Sequence, residues 1–286
     1  MTIRDKRLHA YRPDLADLRL QGEVEAERFV EGRAGRIAAS VADMRAAPRP
    51  DSGVNTQLLR GASVTVFEEA EGFAWVQAAD DGYVGYVADS DLGPCDPAPT
   101  HKVAAPRTFV YPGPDLRLPR SGALSMGASV AIVGHAETRG TLYALLASGE
   151  AIIAAHLCPA DAVAADYVAV AELLINTPYL WGGVSGFGID CSGLVQLALR
   201  MAGRQVLRDS DMQAAGLGVP VDPGPTFGNL RRGDLVFWKG HVAIMTDAQT
   251  MIHANGHTML VSREGLKEAI DRIGYLYGGP TGFRRP

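Results

Sequence analysis

The pattern of apolar and polar positions changes character three times along the chain. Residues 1–32 are charged and weakly patterned, which predicts a lead segment packed on whatever follows. From residue 33 the rhythm is that of short strands. VTVFEEAEGFAWVQAADDGYVGYVADSDL, beginning at Val64, sets apolar runs between Glu-Gly and Asp-Asp-Gly turns. Such spacing predicts a small all-β barrel over residues 33–95. Gly61-Ala62-Ser63-Val64 recurs as Gly127-Ala128-Ser129-Val130. Each copy is followed by an aromatic (Trp75, Tyr143), a turn glycine (Gly82, Gly149) and a closing leucine (Leu92, Leu157), at offsets between 65 and 68 residues. The repeat predicts a second barrel of the same kind over residues 96–158, joined through the proline-rich PCDPAPT.

The texture turns helical near Asp161. AVAADYVAVAELLIN carries an apolar stripe at Val163, Tyr167, Val170 and Leu174, and Thr177-Pro178 ends it. The glycine-rich WGGVSGFGID then leads into CSGLVQLALRMAG, a second helix with apolar positions at Leu194, Val195, Ala198 and Met201 and a stop at Gly203. DLVFWK, HVAIMT, TMIHA and MLVS follow as strands. Residues 160–286 therefore read as a helix-first α+β domain.

Composition narrows the class. The 286 residues are 47% hydrophobic and 21% charged, with a formal net charge of -5 and no long basic run, so a nucleic-acid or anionic-membrane partner has no electrostatic support. No apolar stretch long enough for a signal peptide or a membrane span is present, which predicts a cytoplasmic chain. Three cysteines, Cys95, Cys158 and Cys191, without a C-x-x-C, are neither a disulfide framework nor a zinc ribbon.

Of these cysteines, Cys191 stands where the glycine loop meets a helix start. Amide N–H groups and the helix dipole there favour thiolate over thiol and can hold a developing oxyanion. That predicts a nucleophile, while Cys95 and Cys158 read as structural. A base must come from elsewhere. His241 opens one strand and His253 closes the next with the same parity. In a hairpin with the three-residue loop Thr246-Asp247-Ala248, His241 faces His253, with Cβ atoms ~5 Å apart. This predicts His241 as base and His253 as the residue that orients it, on a face turned outward toward the Cys191 helix. The pair lacks a third ligand, so no metal and no cofactor is expected.

PYLWGG (178–183), DCSG (190–193), RRGDLVFW (231–238), HVAIM (241–245) and IHA (252–254), in this order, resemble the NlpC/P60 family of cell-wall peptidases. The resemblance implies a papain-like core, a Cys191–His241–His253 triad and hydrolysis of the bond after γ-D-glutamate in murein stem peptides, usually before a diamino acid. The barrels resemble bacterial SH3 domains. Together they resemble γ-D-glutamyl-L-diamino-acid endopeptidases that recycle murein peptides. On that likeness Tyr179, Asp190, Ser192, Asp209 and Ser210 line the pocket for a substrate with a free L-Ala amine, and Tyr83 of the first barrel adds a wall. Ala62 stands where an acidic wall residue is expected. Each of these residues also has a plainer reading: Tyr179 as core, Asp190 as a helix cap, Ser210-x-x-Gln213 as a capping box. A papain-like amidase or acyltransferase acting on another γ-glutamyl or lipid substrate, or a non-catalytic wall-peptide binding module, are the competing functions.

Overall fold

The computed structural model describes residues 4–286 and divides into two compact units, Met1–Ala162 and Val163–Pro286. In the first, the lead segment forms a short parallel pair, Leu15–Asp17 with Arg28–Val30. Its Ala10 and Leu15 join Phe67, Trp75 and Val84 in one apolar cluster. A bulge between Val66 and Glu68 explains how one strand serves two cores. Val64 and Val66 alternate inward, then the extra residue turns Phe67 toward the lead segment.

Residues 33–93 form an antiparallel seven-stranded sheet. Arg33–Ile37 pairs with both Ser63–Ala70 and the short closing strand Leu92–Gly93, which follows a 3-10 turn at Asp89–Asp91. Residues 101–159 repeat that plan. His101–Val103 pairs with Ser129–Val130 and with Leu157–Pro159, which follows a 3-10 turn at Ala154–His156. Gly61 and Gly127 both sit at φ 86, a left-handed position that glycine adopts freely. The repeat in the sequence is thus the repeat of one turn and one closure.

The second unit holds the chemistry. Helix α1 spans Tyr167–Glu172, shorter than the stripe from Val163 suggests, because Asp166 accepts a bond from Val168 N–H and caps it there. Val163 is left exposed. Helix α2 spans Cys191–Met201, with Asp190 as N-cap and Gly203 (φ 76) just past its end. Helix α3, Ser210–Gly216, and helix α4, Leu266–Tyr277, complete the set. The six-stranded sheet runs in the order Val219–Pro220, Gly282–Arg285, Leu235–Trp238, His241–Met245, Thr250–Asn255, Leu260–Gly265. Trp238 and His241 are joined by a tight turn with Gly240 at φ 73.

The hairpin register differs from the expected one by two residues. Ile244 pairs with Ile252 and Met245 with Met251, so the loop is wider than three residues. Asp247 accepts bonds from the N–H groups of Gln249 and Thr250 and holds that wider turn. A shift of two keeps parity, so His241 and His253 still share a face as diagonal neighbours. That face is not turned outward. Ala243, Met245 and Met251 on it pack under Leu266, Ala269 and Ile273 of α4. Among the described residues no helix is long and apolar enough to cross a membrane.

Candidate active site

Cys191 is the first residue of α2, and its Sγ lies 4.0 Å from the carbonyl oxygen of Gly240. The N–H groups of Ser192 and Val242 also point at the sulfur. The thiol is therefore seated on the backbone that flanks His241. The loop 182–190 reaches the helix start by backbone contact, since a Cβ on Gly183 would stand 2.5 Å from the Gly188 carbonyl oxygen and one on Gly193 would strike the Gly183 carbonyl oxygen. The glycines are there for close approach as well as for turns.

His241 Nε2 and His253 Nδ1 are 2.9 Å apart, with ring centroids 5.1 Å apart. His253 is fully buried. With Nε2 engaged, His241 has Nδ1 left as its second ring nitrogen. The electrostatics differ from the expectation of a ready thiolate. Burial first, then the Asp190 charge, pushes the Cys191 thiol up to about 12, against the lowering effects of Arg208 and the nearby N–H groups. Burial and the neighbouring His253 lower His241 to about 3. Both shifts favour the neutral forms of thiol and imidazole.

Asp190 is placed at the site but is already engaged. Its carboxylate accepts from Gly182 N–H (2.9 Å), Gly193 N–H (2.7 Å) and two nitrogens of Arg208 (3.0 and 2.6 Å). Arg208 is itself fully buried and also donates to Ser192 Oγ at 2.7 Å. The Ser192 hydroxyl in turn reaches Asp190 at 3.2 Å. Asp190 and Ser192 thus hold the loop, the helix start and a buried guanidinium together. Tyr179 is half-buried, pairs in a bridge with Ile189, and has its phenol raised to about 12 by burial and then by the charges of Cys191 and Asp190, which places it beside the thiol. Asp209 is the N-cap of α3 and Ser210 its first residue, both half-buried. The capping box does not form. Gln213 instead donates to the carbonyl oxygens of Ser192 and Leu207, tying α3 to the start of α2. Tyr83 belongs to the other unit, where its side chain is buried. Arg208, Gln213 and Glu264 are absent from the sequence-based site; an arginine directly before Asp209-Ser210 was the available signal for the first.

Residues 176–270 match the NlpC/P60 family, and residues 44–92 match the bacterial dipeptidyl-peptidase SH3 domain. The second unit carries an NlpC/P60 domain. This NlpC/P60 protein is a cysteine peptidase, and its relatives agree. It is 28% identical over 229 residues, 71% of this chain and 73% of the relative, to the γ-D-glutamyl-L-lysine dipeptidyl-peptidase of Bacillus subtilis (strain 168). It is 34% identical over 136 residues, 44% of this chain and 49% of the relative, to dipeptidyl-peptidase 6 of Lysinibacillus sphaericus. A crystal structure of an NlpC/P60 family protein from Bacillus cereus ATCC 10987 superposes with TM-score 0.72 at 23% identity, covering 88% of this chain and 99% of that one, a likeness of fold.

The residue types gathered here can carry out the chemistry of a cysteine nucleophile with a histidine base. His241 Nδ1 can take the thiol proton as sulfur attacks a carbonyl carbon, and the N–H groups at the start of α2 can accept the charge that develops on oxygen. The imidazolium then returns the proton to the leaving amine, and water releases the acyl group.

Proposed function

We propose that Cys191, His241 and His253 hydrolyse the γ-D-glutamyl–diamino acid bond of murein peptides that carry a free N-terminal L-Ala, as a step in cytoplasmic recycling of cell-wall peptides. The carrying observation is the seat of the Cys191 sulfur on the Gly240–Val242 backbone with the His241–His253 pair behind it. The substrate class comes from the likeness to a γ-D-glutamyl-L-lysine dipeptidyl-peptidase over 71% of this chain. Residues 96–158 are read as a second SH3-like barrel because they repeat the pairing order of the first.

Recognition of the free amine falls to Asp209. Asp190 is neutralised by Arg208, and Asp209, the N-cap of α3, is the second carboxylate here, close enough to act on the Arg208 charge. Tyr179 and Ser210 are assigned to the same substrate. A carboxylate paired with an ammonium away from water loses its partner when the amine is acylated. The test compares L-Ala-γ-D-Glu-L-Lys with its N-acetyl form, products being identified by mass. The free peptide is cleaved after D-Glu, with kcat/KM about a hundredfold higher than for the acetylated one. Asp209→Asn shrinks that ratio by slowing the free peptide, and Cys191→Ala abolishes cleavage of both. Equal rates on the two peptides overturn the recycling reading; binding without cleavage by the wild type indicates a binding module.

A further inference from the structure

The orienting histidine is itself held. His253 Nε2 lies 3.2 Å from Glu264 Oε2, and Glu264 is gripped by Arg272 through Nε to Oε1 at 2.8 Å and a second nitrogen to Oε2 at 2.6 Å. The strands explain the approach. His253 pairs with Ser262, so Glu264, two residues further on, is its diagonal neighbour on the same face. Arg272 comes from α4, which starts right after that strand. The Nε2 contact is bent away from ideal hydrogen-bond geometry, so the carboxylate acts on the ring chiefly through its charge. An exposed Arg–Glu pair would contribute little on its own. This one ends on a ring with no exposure to water.

Resting on the triad reading above, we propose that Glu264, held by Arg272, is a positioning residue that fixes the tautomers of both histidines. A carboxylate at His253 Nε2 favours a proton on that nitrogen. In the neutral ring Nδ1 is then a lone pair, and across the 2.9 Å contact it can only accept, so His241 carries its proton on Nε2. The basic lone pair of His241 is thereby left on Nδ1, the nitrogen nearer the backbone on which the Cys191 sulfur is seated. Reversal would put a proton on Nδ1 and leave no base facing the thiol. Arg272 keeps Glu264 ionised, its carboxyl held down at about 2 by the Arg272 and His253 contacts.

The experiment is long-range proton–nitrogen NMR on protein labelled with 15N-histidine, with His241 and His253 assigned by the signals lost in His241→Gln and His253→Gln. Wild type and Cys191→Ala are expected to show both rings in the Nε2–H form. Glu264→Gln keeps the shape but can offer an amide N–H to His253 Nε2, so a population with the proton on Nδ1 appears in both rings. With it kcat falls about 10–100-fold at unchanged KM. Arg272→Gln, which frees the carboxylate, gives a smaller change in the same direction. Unchanged tautomers in Glu264→Gln overturn the proposal, as does a loss that appears only in KM. The NMR result is independent of turnover, so it stands apart from the failure of the triad reading, which would show as cleavage surviving Cys191→Ala.

Discussion

At Cys191 two opposing effects meet. N–H groups at the start of α2 and the Arg208 charge favour the thiolate, while loss of water and the Asp190 charge disfavour it, and the second pair prevails. His241 is lowered by burial, so it stays neutral at every pH above about 3. The thiol is raised to about 12, so both shifts weigh against a thiolate–imidazolium pair at rest. Iodoacetamide alkylation of Cys191 is therefore expected to rise about tenfold per pH unit from about pH 6 to about pH 10, without a plateau. Peptide mapping after timed quenching measures this. A flat rate across the neutral range would show a resting ion pair instead. The helix-start setting of Cys191 was legible in the sequence because it is local. Its burial was not, because the groups that cover it come from the strand at Gly240 and from Arg208. Asp190 follows the same logic: as an isolated letter it reads as an anion awaiting a ligand, but Arg208 neutralises it from 18 positions away.

Elements set how closely those residues can approach. Alanine in place of a helical glycine ordinarily stabilises by about 1 kcal/mol. At Gly193 the sign reverses, because a Cβ would enter the space of the Gly183 carbonyl oxygen. Gly193→Ala is expected to cost about 2 kcal/mol or more. It should also lower kcat by moving the 182–190 loop off the start of α2. Denaturant midpoints and initial rates on the same preparation test both, and an unchanged or raised midpoint would refute the close-approach account. The loop and α2 were legible as glycine-rich segment and amphipathic stripe. The hairpin was legible in parity but not in register, since parity survives a slip of two and only the Asp247 turn fixes the loop length. Helix α4 went unread for a physical reason: Gly265, its N-cap, supplies no side-chain cap, and the preceding strand runs straight into it. With α4 hidden, the sequence offered no sign that Arg272 returns to Glu264 or that the histidine face is roofed.

At the scale of the molecule, each unit carries its own sheets and its own buried core. In Val163–Pro286 the α4 layer over Val236, Ala243, Met245 and Met251 lies wholly within the unit, as do the contacts of Asp190 with Arg208 and of His253 with Glu264. The repeat in the first unit was legible because one turn glycine, with the same left-handed backbone, opens each copy. Periodicity changes near Asp161, and the two units divide at Ala162. A core of this kind, with each fully buried Ile, Leu or Met worth about 1.5–3 kcal/mol, is enough for a domain of this size to fold alone. Residues 163–286, expressed separately, are therefore expected to give one cooperative melt with native near-ultraviolet dichroism. The same fragment separates two origins of substrate choice. Asp209 lies inside it and Tyr83 does not. If Asp209 reads the free amine, the fragment still prefers L-Ala-γ-D-Glu-L-Lys over its N-acetyl form, even where its rate is lower. A folded fragment that cleaves both peptides equally would overturn the assignment of amine recognition to Asp209.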